Sequence, residues 1–239
     1  MVLAIGHSAR DTFRMLYRRK IPMAAKAFAA GVRVEHPQEM ITRSQYGQNV
    51  PKELKAASYR LAQNLENGRG VYSFCMCPGG WVVNASSEPG FLAVNGMSYH
   101  ARDGANANSA IVVTVDPRDY IPFSGQEVPE PLKGIAFQRY LERRAFEAAG
   151  GRVPVQRFED FCLSRRGSLG AFAPCIKGEF SAENVRELLP AFIGDSLEAG
   201  IRAMDRQLAG FAMGDALLSA VESRTSSPEA IGKKFVNFQ

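Results

Sequence analysis

The hydrophobic positions change period along the chain. Val2 to Ile5 is a short apolar run closed by Gly6, which reads as a buried strand. Ser8 follows at a helix N-cap position, with Asp11 three residues on. Phe13, Leu16 and Tyr17 then lead to Arg18-Arg19-Lys20, a basic end that suits a helix C-terminus, and Pro22 prevents continuation. Ala27 to His36 has strand character and Pro37 closes it. Tyr59 to Leu65 is a further candidate. After the turn cluster Asn67-Gly68-Arg69-Gly70, three runs predict an antiparallel meander: Val71 to Cys77, Trp81 to Ala85 and Phe91 to Asn95. Ser109 to Val115 is apolar enough for a strand buried on both faces.

From Leu132 the period lengthens. Phe137, Leu141, Ala145 and Ala148 share one helical face, and Gly150-Gly151 stops the helix. Leu189, Ile193, Leu197, Ile201, Met204 and Leu208 line a second helix, with Pro190 in its first turn and Gly210 at its end. Ala216 to Val221 is a last strand, followed by the polar turn Ser223 to Pro228. Strand and helix, then a β-rich block, then helices, then a strand: the order predicts an α+β (mixed) architecture and not a regular βαβ alternation.

Composition refines this picture only modestly. The 239 residues are 46% hydrophobic and 22% charged, enough for one sizeable core or for one large and one small domain. The net charge of +5 favours anionic ligands weakly. Its basic residues are scattered and form no long stripe, so no nucleic-acid partner is expected. Nor is a membrane partner, because no run of about 18 apolar residues exists. Free thiols in a cytoplasmic protein are the expected state of Cys75, Cys77, Cys162 and Cys175.

Candidate chemistry is sparse. Gly6-His7-Ser8, between a strand and a helix, allows close backbone approach to a ligand or is an ordinary turn. Cys75 and Cys77 share one strand face, as a redox pair or as two small buried thiols; their spacing is poor for zinc. Asn95-Gly96-Met97-Ser98, Arg102 and Asn106-Ala107-Asn108-Ser109 make a polar stretch that lines a pocket, with Arg102 meeting an anion, or a solvated loop. His7, His36 and His100 have no triad or ligand spacing, and His36 reads as a strand-end residue. No G-x-G-x-x-G loop, P-loop or nucleophile elbow is present.

Six segments, in order, carry a resemblance. They are Ala4-Ile5-Gly6-His7-Ser8-Ala9-Arg10-Asp11-Thr12, Gly31-Val32-Arg33-Val34-Glu35-His36-Pro37-Gln38, Tyr72-Ser73-Phe74-Cys75-Met76-Cys77-Pro78-Gly79-Gly80, Asn95-Gly96-Met97-Ser98, Asn106-Ala107-Asn108-Ser109 and Glu222-Ser223-Arg224-Thr225-Ser226-Ser227-Pro228. Together they resemble bacterial FAD-dependent dehydrogenases of the broad glutathione-reductase-like flavoprotein class. The resemblance implies a β-rich inserted cap or substrate domain over residues 23–214. Residues 1–22 and 215–239 would be remnants of a FAD/NAD(P)-binding Rossmann-like domain, and the chain an interior piece of a longer flavoprotein. It implies FAD near Gly6, His7 and Ser8, and NAD(P)H as a possible donor. An unknown small-molecule substrate would lie near Cys75, Asn95, Arg102 and Asn108. It also implies self-association through the surface that the flavin domain would cover. Gly167 to Lys177 and Glu229 to Gln239 depart from the family pattern. The alternative is a binding or interaction module without catalysis.

Overall fold

The computed structural model describes residues 5–6, 8–51 and 53–231. The first half runs α1 (Arg10–Arg18), β1 (Met23–Ala25), β2 (Phe28–Pro37), α2 (Gln38–Tyr46), β3 (Ala62–Asn64), β4 (Gly70–Cys77), β5 (Gly80–Asn84), β6 (Val94–Ser98) and β7 (Asn106–Val115). The second half runs α3 (Pro117–Tyr120), α4 (Lys133–Ala149), β8 (Val153–Arg157), α5 (Phe158–Cys162), β9 (Ile176–Lys177), β10 (Phe180–Ala182), α6 (Val185–Leu188), α7 (Ala191–Met204), β11 (Leu217–Glu222) and β12 (Glu229–Ile231). The architecture is α+β.

Strand β2 is the centre of a seven-stranded sheet ordered β10-β8-β11-β2-β7-β4-β3. It pairs antiparallel with β7 along its whole length, from Phe28 opposite Val115 to Pro37 opposite Asn106. Successive strand residues face opposite sides. Ala30, Val32 and Val34 therefore enter the main apolar core, as do Ile111, Val113 and Val115 of β7. The alternate positions turn Arg33, Glu35, Asn106 and Asn108 to the other face.

Two helices cover the apolar face. Helix α4 contributes Phe137, Leu141 and Ala145 at steps of four, and Gly150 ends it in the left-handed conformation at φ 58°. Helix α7 contributes Ile193, Leu197, Ile201 and Met204. Each large aliphatic side chain buried there contributes about 1.5–3 kcal/mol. A second, three-stranded sheet, β6-β5-β9, packs against the polar half of the opposite face. Helix α1 lies outside both sheets, where its Phe13 packs against Leu132 and Ile135. A small β1–β12 ribbon lies alongside, with Met23 and Ile231 against the same cluster.

Several expectations need correction. The N-cap of α1 is Ala9 and not Ser8, no side chain caps this helix, and the Asp11 carboxylate accepts from the Thr12 amide instead. The proposed meander is divided between two sheets. At Cys75–Cys77 the β4 register shifts against β7, and the chain turns through Gly79 into a different sheet. The strand expected at Phe91–Asn95 runs instead over Val94–Ser98, because it pairs with β5 from Val94 opposite Asn84 to Ser98 opposite Gly80. Helix α2 was not anticipated. It is mostly polar, and Ile41 is its one buried hydrophobic side chain. Most of the predicted strand Val2–Ile5, and His7, lie outside the described residues.

Candidate functional site

The polar face of the sheet is built around Arg33. A charged residue in the middle of a central strand must satisfy its donors inside the protein or destabilise it. Its Nε donates to Glu222 Oε2 at 3.0 Å, across to β11. Its Nη1 donates to Asn108 Oδ1 on β7 at 2.7 Å and to the Cys75 carbonyl at 3.2 Å. Its Nη2 donates to Asn95 Oδ1 on β6 at 3.1 Å. The guanidinium thus joins four strands drawn from both sheets. Burial pushes the Glu222 carboxyl up, and the Arg33 charge opposes that shift.

The space for this guanidinium comes from Gly96. A Cβ there would lie 2.1 Å from Arg33 Nη1 and 2.2 Å from Asn108 Oδ1. On the outer side the centre reaches the surface. Asn95 is exposed, and its Oδ1 also accepts from the Gly96 amide at 2.7 Å, so its amide nitrogen is left to face outward. Cys75 is exposed at a left-handed φ of 45°. Cys77 Sγ donates to the Cys75 carbonyl at 3.4 Å and lies 3.9 Å from Arg33 Nη1. Burial pushes the Cys77 thiol up despite the nearby guanidinium, so it is a neutral thiol near pH 7. The arrangement offers a surface amide donor and two thiols, held in place by a buried cation.

Neighbouring groups brace the centre. Gln38, the first residue of α2, accepts from the Gly79 amide at 2.6 Å and so holds the turn between β4 and β5. Glu35 Oε2 accepts from Asn106 Nδ2 at 3.0 Å and from the Cys175 amide at 2.7 Å, which ties β2 to the start of β9. His36 donates from Nε2 to the Phe211 carbonyl at 2.7 Å and stacks on the Phe211 ring. Burial lowers its pKa to about 4, so it is a neutral core residue.

Of the pocket residues read from the sequence, Cys75, Asn95 and Asn108 all touch Arg33. Arg102 stands apart, exposed in a turn closed by its amide on the Tyr99 carbonyl. Arg33 and Glu222 were missed. The signal was present, since Arg33 interrupts the apolar run of β2 and Glu222 ends that of β11.

A second ionic centre joins α1 to the body. Glu142 of α4 accepts from Arg10 at 2.8 and 2.9 Å, from Arg224 at 2.9 Å through each oxygen, and from Ser223 Oγ at 2.6 Å. Burial pushes Glu142 up, but the two guanidinia outweigh it and hold its carboxyl below the usual range. Among the described residues, no three His, Cys, Asp or Glu side chains converge as metal ligands.

Residues 27–225 match the family described as FAD-dependent protein, C-terminal domain-like, and the chain belongs to that family. A protein of Clostridium beijerinckii, named only "Uncharacterized protein", is 50% identical over 239 residues, covering 98% of this chain and 44% of its own length. The chain therefore spans less than half of that relative. Of the residues expected beside FAD, Gly6 and Ser8 are described and His7 is not. Gly6 is exposed at a φ of 67° with open space where a Cβ would stand, and Ser8 is exposed beside it. No described helix is long and apolar enough to cross a membrane.

Proposed function

We propose that this chain is the substrate-side domain of a flavin-dependent oxidoreductase. Residues 23–214 form the substrate domain, and residues 1–22 and 215–239 are the passages toward a flavin-binding domain. Strand β11, early in the second passage, is also bound into the central sheet. The observation that carries this reading is the match of residues 27–225 to the C-terminal part of an FAD-dependent family. The Arg33 centre is its substrate-facing element. Asn95, Cys75 and Cys77 meet a polar small molecule, and Arg33 positions them without reaching the surface itself. A flavin held outside the substrate domain would supply hydride chemistry, with NAD(P)H as the proposed donor, and these residues would supply orientation and hydrogen bonds.

The test compares the chain with the full-length Clostridium relative. Each is mixed with FAD, desalted and scanned for flavin absorbance. The relative is expected to stay yellow and the chain to emerge colourless. A colourless relative overturns the flavin reading. A chain that retains one FAD per molecule overturns the assignment of pyrophosphate binding to another domain.

A further inference from the structure

A cleft lies away from the Arg33 centre, between α1, α4 and the loop before α4. Its volume is about 700 Å³, within the range that small-molecule sites occupy. Its floor is one face of α4, with Ile135, Ala136, Arg139, Tyr140 and Arg143 at helical spacing. Val128, Pro129 and Leu132 extend the floor as an apolar wall. Arg14, Tyr17 and Arg18 of α1 form the opposite wall.

The cleft carries an excess of positive charge. Arg14 and Arg18 stand one turn apart on α1, as Arg139 and Arg143 do on α4. Arg139 lies 3.2 Å from Glu88, but Glu88 is shared with Arg10 at 2.7 Å. Arg14, Arg18 and Arg143 have no carboxylate partner among the described residues. Glu127 is the single carboxylate among the lining residues. Burial first, and then the charges of Arg14, Arg10 and Arg143, push Arg139 below its ordinary value against the pull of Glu88. The arginines are partly pre-ordered, since the guanidinia of Arg139 and Arg143 lie 4.6 and 5.0 Å from the centroid of the Phe91 ring.

A basic rim above an apolar floor matches one ligand chemistry. Guanidinium pairs bind phosphate through paired hydrogen bonds, and a cluster of them suits a multiply charged head better than a single carboxylate. Val128, Leu132, Ile135 and Ala136 offer nothing to a bare anion and favour an apolar body. We infer that the cleft between α1 and α4 binds an organic phosphate with an apolar tail, the head among Arg14, Arg18 and Arg143 and the tail on the Leu132–Ala136 floor. This site lies apart from the Arg33 centre, and its α1 wall falls within residues 1–22, the proposed passage toward a flavin-binding domain.

The test is calorimetric titration of the chain with octyl phosphate below its micellar range, with inorganic phosphate and octyl glucoside as head-only and tail-only controls. Octyl phosphate is expected to bind one per chain, at least about ten-fold more tightly than either control. The double substitution Arg18→Gln with Arg143→Gln, both at exposed positions, weakens octyl phosphate by about ten-fold or more. Ala136→Trp fills the floor and weakens octyl phosphate by a similar factor of about ten while leaving inorganic phosphate unchanged. Unfolding midpoints matching the parent confirm that each variant folds. The inference is overturned if octyl phosphate binds no more tightly than inorganic phosphate, or if the arginine variant binds it as the parent does. It is also overturned if the chain sediments with anionic phospholipid vesicles through these arginines but takes up no octyl phosphate, which would make the face a membrane contact.

Discussion

Replacing Arg33 by methionine tests whether the polar centre is held by this one cation. The Arg33 side chain is fully buried and its partner Glu222 is 5% exposed. At 3.0 Å the pair attracts with about 5 kcal/mol at an effective dielectric of 20, most of it offset by desolvation in the intact protein. Methionine keeps the volume and removes the charge. Glu222 is then a buried carboxylate without a counter-ion, and breaking such a pair costs about 3–5 kcal/mol. Asn108 is also fully buried, and its Nδ2 already lacks a partner. Loss of the Arg33 bond to its Oδ1 adds about 1–3 kcal/mol. Asn95 and Cys75 are exposed, so water replaces their bonds at little expense.

The penalty depends on pH, because Glu222 can escape by binding a proton. Its carboxyl is already raised by burial, and removing Arg33 raises it further. A raised carboxyl stabilises the fold below the unfolded pKa, and that stability is lost as pH rises through the folded pKa. Arg33→Met is therefore expected to lose about 4 kcal/mol or more at pH 8 and about 2 kcal/mol less at pH 5. The loss at pH 8 corresponds to a melting point lower by roughly 8–16 °C for a chain of this length. Urea titration followed by the fluorescence of Trp81, the one tryptophan, measures both values. Adding Glu222→Leu removes the stranded carboxylate and should recover part of the loss at pH 8. A single variant within about 1 kcal/mol of the parent at both pH values would refute the reasoning, as would a double variant no more stable than the single.

The remaining predictions concern the same two centres and the β1–β12 ribbon. Gly96→Ala places a Cβ against two pinned groups, Arg33 Nη1 and Asn108 Oδ1, and should cost about 2–3 kcal/mol by urea titration. Glu142→Gln leaves Arg10 and Arg224 without their shared carboxylate. The expected loss is about 3 kcal/mol, at the low end because Arg10 keeps Glu88, and trypsin should cut faster at Arg19–Lys20 as α1 loosens. Glu229 is buried, its Oε1 has no partner, and burial raises its carboxyl to about 7. The sign is that of a raised acid, so stability falls as pH rises from about 4.5 to 7. Glu229→Gln should flatten that slope and stabilise the chain at pH 8 by on the order of 2 kcal/mol.

What could be read from the sequence was what is local. The spacing of Phe137, Leu141 and Ala145 and the stop at Gly150 place α4 correctly, because helix period and a left-handed cap are decided within a few residues. Helix α2 escaped because it is held by polar contacts and not by an apolar stripe: Gln38 bonds the Gly79 amide and the Ala57 carbonyl. The meander escaped division because the register shift at Cys75–Cys77 depends on β7, a distant partner. Asn95, Asn108 and Cys75 stood out as polar or reactive residues beside glycine and apolar strands. Their common partner did not, since Arg33 lies 62 residues from Asn95, 75 from Asn108 and 189 from Glu222. A local pattern can mark candidates for a buried polar centre, but the residue that joins them is set by sheet order.

That sheet order also explains why three consecutive residues near the end of the matched region carry so much of the ionic structure. Glu222 closes β11 and reaches Arg33 on the polar face. Ser223 and Arg224 reach Glu142 on α4, which packs against the sheet's apolar face. Ser223 and Arg224 lie just past the end of β11 and both turn to Glu142, so one short stretch serves both centres. Glu142 in turn holds Arg10, the first residue of α1. Helix α1 is therefore linked to the Arg33 centre through Glu142 and residues 222–224, although the two ends of that path share no direct contact among the described residues. A one-residue slip of β11 would take Glu222 away from Arg33, whereas Glu142 would keep Arg10. The buried charges contribute little net stability as isolated pairs, but they make the wrong register of this strand far more costly than the right one.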